Sequence, residues 1–134
     1  MRAALWFTAM LALATARAGC VLPPPAPPAR PGVLDLAERP AEKALLAGLR
    51  AYDDAQYAAA QKLLNQSLRD GLASPRDRAA AHKHLAFIYC TSERAVECEA
   101  VFRAARVDDP KFALSKSEAG HPQWGPVYQR VLRQ

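Results

Sequence analysis

Residues Ser74 to Ala105 read SPRDRAAAHKHLAFIYCTSERAVECEAVFRAA, and the fold turns on them. Ser74 suits a helix cap, Pro75 the first helical position, and Asp77 falls at the capping-box site. The spacing predicts a helix from there to about Cys90. Its stretch Leu85-Ala86-Phe87-Ile88-Tyr89-Cys90 is apolar on all sides. A helix apolar all round is buried, so this one belongs at the centre. Thr91-Ser92 interrupts it. A second run then carries Ala95, Cys98, Val101, Phe102 and Ala105 at helical spacing and closes at Asp108-Asp109-Pro110. The pair reads as a helical hairpin.

Toward the amino terminus the same grammar appears once more. Pro40 suits a first helical position. Ala44, Leu45, Ala47, Gly48, Leu49 and Tyr52 follow at helical spacing, and Asp53-Asp54 breaks the pattern. Tyr57, Ala60, Leu64 and Leu68 form a second run that Gly71 ends. Toward the carboxyl terminus, Ser115 to Glu118 repeats a capping-box pattern before Gly120. A last short helix is expected from about Pro122, carrying Trp124, Val127, Tyr128, Val131 and Leu132. No run alternates as a strand would, and alanine, the best helix former, is abundant. The domain from Pro40 to Gln134 is therefore expected to be all-α.

The two hairpins repeat each other. Gly48, Tyr52, Tyr57, Ala60 and Leu64 match Ala86, Cys90, Ala95, Cys98 and Phe102 at a constant offset of 38 residues. This resembles the tetratricopeptide repeat, a helix-turn-helix unit of about 34 residues with small side chains where its helices touch and a late proline. Gly48 and Ala60, then Ala86 and Cys98, take the small-residue positions, and Pro110 is the late proline. The surplus length falls in the connection from Asp70 to Asp77, and the early tryptophan is missing. Two units do not make a stable stack, so residues from Pro122 to Gln134 are expected to act as a terminal capping helix. The fold expected is two tetratricopeptide-like helical hairpins plus that cap.

The beginning of the chain is of another kind. Met1-Arg2 precedes an apolar run from Ala3 to Ala16, shorter than the roughly 20 residues that cross a bilayer. A basic start, a short apolar core and small residues at the exit are the layout of a secretory signal. Residues 1–19 are expected to leave as a signal peptide. The exit, Ala16-Arg17-Ala18-Gly19-Cys20, carries two readings. Ala16 and Ala18 fit ordinary cleavage. Ala18-Gly19-Cys20 resembles the bacterial lipobox, after which Cys20 would carry a covalent lipid, although Arg17 departs from that pattern. By resemblance to Gram-negative lipoproteins, Val21 after the cysteine implies the periplasmic face of the outer membrane.

Seven of the 11 prolines lie between Pro23 and Pro40. Such runs are extended and cannot join a helix interior or a ladder. Residues 20–39 are read as a spacer, with a docking site for a proline-binding module as the sharper alternative. The formal charge of +5 owes part of its value to Arg2 and Arg17 in the targeting segment.

One resemblance is more specific. It rests on the stretch from His82 through Cys90, the later Cys98, the run Asp109-Pro110-Lys111-Phe112-Ala113-Leu114, and the tail Glu118-Ala119-Gly120-His121-Pro122-Gln123-Trp124-Gly125-Pro126-Val127-Tyr128. Together these resemble the TssQ-type lipoproteins associated with the bacterial type VI secretion system. The resemblance spans about Ala41 to Arg130 and the order of signal, cysteine and linker. It implies a lipid-anchored, periplasm-facing outer-membrane accessory that works through protein–protein binding with no enzymatic activity. Its implied partners are the membrane, through the anchor, and envelope proteins of the secretion machine, without nucleic acid or small-molecule substrate. A generic envelope-assembly or pilotin-like lipoprotein, or a small secreted metal-binding protein, are the alternatives.

A chain of 134 residues leaves no room for a two-domain enzyme. It has no G-x-S-x-G and no glycine-rich phosphate loop, and no catalytic residues or cofactor are expected. His82 and His84, two apart on a helix, point to different sides and do not suit one metal ion. Cys90 and Cys98 lack the close spacing of zinc ligands. In an oxidising compartment they are candidates for a disulfide across the hairpin turn, against two buried free thiols. His121 precedes Pro122, which restricts it to extended backbone, and it is expected to position Trp124. Trp124 and Tyr128 share one helix face. Either they cap the stack or they form an aromatic anchor for a partner. Arg69, Arg76, Arg78 and Lys83 form a mildly basic rim, and the partner face is expected to use Tyr52, Lys83 and their neighbours.

Overall fold

Proline and serine chemistry sets where the helices begin. The computed structural model describes Gly32, Asp35 and residues 38–134. The expected signal peptide, Cys20 and most of the linker lie outside the described residues. Six helices and no strand occur among the described residues: α1 (Pro40–Asp53), α2 (Tyr57–Arg69), α3 (Pro75–Thr91), α4 (Ala95–Asp108), α5 (Lys116–Ala119) and α6 (Gly125–Leu132). None of them is long and apolar enough to cross a membrane. Prolines stand in the first two positions of α1, α3 and α6, where a missing amide donor costs nothing. Ser74 Oγ accepts the Asp77 amide at 3.3 Å, but this cap is one-sided because aspartate is a methylene shorter than the glutamate of a full box. Glu118 has the needed length. Its Oε2 accepts the Ser115 amide at 2.8 Å, while Ser115 Oγ accepts the Glu118 amide at 3.2 Å.

The 38-residue offset is a property of the backbone too. Ala55 (φ 59°) and Glu93 (φ 60°) are the two non-glycine residues with left-handed backbone among the described residues, and they are 38 apart. At each turn the residue after it donates back into the preceding helix: Gln56 N to Ala51 O at 2.8 Å, and Arg94 N to Tyr89 O at 2.9 Å. This is the six-to-one bond of a Schellman ending. Equivalent positions also share their burial: Ala41 and Ala79, Ala60 and Cys98, Leu64 and Phe102, and Ser67 and Ala105 are each almost fully buried. Gly48 sits where α1 and α2 touch, and a Cβ there would lie 3.0 Å from Leu64 Cγ. The small-residue requirement read from the sequence is thus a backbone approach in space.

Each hairpin packs along its length, α1 on α2 and α3 on α4; α3 also packs on α1 and α2. Its central place follows from Ala79, Ala81 and the run Leu85 to Tyr89, all buried. The fold is therefore all-α, with two tetratricopeptide-like hairpins and a capping helix: α6 covers α4 through Val127, Tyr128 and Val131, and α5 leans on α6. Cys90 and Cys98 are joined by a disulfide that clips the end of α3 to the start of α4, with Cα atoms 5.2 Å apart.

The last helix differs from its expected start. It begins at Gly125, three residues after Pro122. Residues 121–124 form a turn closed by Gly125 N to His121 O at 2.9 Å. Gly125 is needed there because a Cβ would come within 2.5 Å of the Ala119 carbonyl oxygen.

Candidate functional site

Helices α1 and α3, the first residue of α2 and the tail place a continuous row of rings across the domain. Tyr57 meets Tyr52 edge-on at 5.5 Å between ring centroids, Tyr52 meets His84 at 5.1 Å, and His84 meets Phe87 at 6.0 Å. Phe87 stacks on Trp124 at 4.2 Å, and His121 lies flat on the other side of Trp124 at 3.3 Å and 3°. Both faces of the indole are therefore covered. Its Nε1–H donates to the Glu118 carbonyl at 2.8 Å, so the polar edge is satisfied too. Tyr128 is buried against Phe102 and Phe112, and its hydroxyl accepts the Leu114 amide at 3.3 Å. Both rings thus pack within the domain, and His121 stacks on Trp124.

His82 and His84 leave α3 on different sides. His82 Nε2 reaches Asp108 Oδ2 at 3.2 Å, and Arg78 Nε holds the other oxygen of the same carboxylate at 2.7 Å. His82 Nδ1 is buried with no hydrogen-bond partner among the described residues. Burial, with help from Arg78, pushes the His82 pKa below the ordinary imidazole value, and Asp108 opposes this. His84 faces Tyr52, and its Nδ1–H donates to the Ala80 carbonyl at 2.8 Å. Burial lowers its pKa as well, aided by Lys83 and opposed by the Ala80 carbonyl, Asp53 and Glu118. The two rings share no ligand position. No cluster of three or more histidine, cysteine, aspartate or glutamate side chains among the described residues is placed to share a metal ion.

Lys83 joins the inner face to the tail. Its Nζ contacts Glu118 Oε1 at 2.7 Å and lies 5.7 Å from the Phe87 ring. Burial alone would raise the Glu118 pKa, but the hydrogen bonds from Lys83 and Ser115 outweigh it and hold the carboxyl below its usual value. Tyr52, expected on the partner face, is half-buried, and burial followed by the neighbouring Tyr57, Asp53 and Glu118 raises its phenol pKa. The exposed end of the row is Tyr57, at 50%.

Sequence reading missed what the tail does to α3. A cleft of about 540 Å³ opens between the first half of α3 and the chain that follows α4, lined in part by Arg76, Ala80, Lys83, Asp109, Lys111 and Phe112. Arg76, Ala80 and Lys83 share a helix face and were readable as such. The Lys111 wall was not, because it depends on the path of the chain after Pro110. Comparison of the chain with protein-family models, with curated proteins and with solved structures gave no match in any of the three.

Proposed function

We propose that this chain is a lipid-anchored, non-enzymatic binding module of the bacterial envelope, held at the periplasmic face of the outer membrane through Cys20. In this reading it serves the type VI secretion system as an accessory or adaptor. The observation that supports a binding module best is the row of rings along α1, the start of α2 and α3. Its tail end, at Trp124, is used to close the stack, whereas Tyr52, Tyr57 and His84 reach the surface. Short helical stacks offer such inner faces to peptides or helices of partners. The resemblance to TssQ-type lipoproteins is what names the machine.

Two measurements test the reading. A photo-crosslinking residue at Tyr57, in cells that run the secretion system, is expected to capture an envelope component of that machine. Capture of outer-membrane assembly factors alone would replace this reading with the generic envelope-assembly one. Labelling with a palmitate analogue is expected in the native chain and absent in Cys20→Ala; equal labelling of both would remove the anchor.

A further inference from the structure

The cleft beside α3 has a charge that its own residues do not balance. Three cations line it, Arg76, Lys83 and Lys111, against one carboxylate, Asp109. Lys83 is engaged by Glu118 at 2.7 Å. Arg76 and Lys111 are exposed and form no ion pair among the described residues. Asp109 already accepts the Lys111 amide at 2.9 Å. Between these groups the surface is apolar, made by Ala79, Ala80, Ala113 and the half-buried ring of Phe112.

This charge is not a general property of the repeat. The residues 38 positions before Arg76, Ala80 and Lys83 are Glu38, Glu42 and Leu45. The matched positions of the first unit hold no cation: Glu38 precedes α1, Glu42 is buried in it, and Leu45 stands where the second unit has Lys83. The distinctive wall is supplied by the non-helical stretch from Asp109 to Ser115, which passes beside α3 before α5 begins.

We infer that this cleft docks an acidic peptide segment of a partner protein. Carboxylate side chains of the segment meet Arg76 and Lys111, and an apolar side chain between them rests on Ala80 and Phe112. A small inorganic anion leaves the apolar part unused, and an uncharged peptide leaves the two cations unanswered. Both halves of the surface ask for a ligand that alternates acid and apolar groups. The inference rests on the reading of the chain as a binding module and gives that module a ligand class.

The test is fluorescence anisotropy on the full chain with a fluorescein-labelled decapeptide of alternating glutamate and leucine. Its glutamine–leucine counterpart and phosphatidylglycerol vesicles serve as separate probes. The acidic peptide is expected to bind, and binding is expected to weaken about tenfold or more in Arg76→Glu/Lys111→Glu. Ala80→Phe, which fills the apolar floor without changing charge, is expected to weaken it as well. Arg69→Glu, a charge reversal elsewhere, is expected to have a much smaller effect. Unchanged binding in the double variant, equal loss in Arg69→Glu, or equal affinity for the glutamine peptide overturns the inference. Binding to vesicles without binding to the peptide overturns it in favour of a membrane surface. Circular dichroism identifies a variant that fails to fold, and Ala80→Phe then decides. If the peptide fails while crosslinking at Tyr57 still captures an envelope partner, the cleft is discarded and the module stands.

Discussion

His82 and His84 both titrate against the fold. Each has a folded pKa below the ordinary value of 6.5 because its ring is buried. Below that value the unfolded chain binds more protons than the folded one, so stability is complete above it and falls as pH drops through the lowered folded values. Urea midpoints are expected to decline as pH falls below 6.5. A His82→Asn/His84→Gln variant is expected to be less stable at neutral pH but nearly flat across that window. Glu118 acts at lower pH: its folded pKa is held below 4.5, so its contribution persists above that value and is lost further down. Trp124 has a different role. Trp124→Ala removes an indole held between His121 and Phe87, and a loss of about 2–4 kcal/mol is expected in urea unfolding. The ring pair Trp124 and Tyr128 was legible as a helix-face pattern. The bridge from His82 to Asp108 was not, because it depends on how α3 and α4 settle against each other, which local spacing does not encode.

At the scale of elements, the two hairpin turns are the most informative. Ala55 and Glu93 hold left-handed backbone at the position where glycine is usual. An L-residue there costs about 1–2 kcal/mol, partly offset because glycine is freer in the unfolded chain. Ala55→Gly and Glu93→Gly are each expected to stabilise the domain by up to about 1 kcal/mol, measured as a raised urea midpoint. The hairpins were legible because caps, breaks and small residues act locally. The start of α6 was not. Pro122 suits a helix start as well as Pro126 does, and the close approach of Gly125 to the Ala119 carbonyl, too tight for a Cβ, depends on how the tail folds back. The disulfide stands between these cases. Its two cysteines flank a readable turn, but their approach depends on the packing of α3 and α4. Reduction is expected to lower stability by about 2–3 kcal/mol, seen as a shift in thermal midpoint with dithiothreitol.

For the whole molecule, the 38-residue frame runs on into the tail. Tyr128 falls 38 after Cys90, and Trp124 falls 38 after Ala86. In space α6 packs on α4 much as α3 packs on α2. The tail thus stands where the first helix of a third unit falls, broken into α5 and α6, with Trp124 where the earlier units carry a small residue. The sequence disguised this, because a tryptophan in a small-residue position hides the register until its stacking partners are known. A chain ending at Pro110 lacks the cover of Phe102 and Phe87. It is expected to lose cooperative thermal unfolding and to bind a hydrophobic dye, in line with the need for about three stacked units. The clip between Cys90 and Cys98 has a mechanical meaning as well. Eight residues drawn straight span about 28 Å, so holding these Cα atoms at their folded separation withholds roughly 20 Å of slack from the second hairpin. Under a pull on Pro40, α1 and α2 can pay out their full contour, whereas the turn joining α3 to α4 cannot. The domain is compliant at its amino-terminal end and inextensible at that later turn.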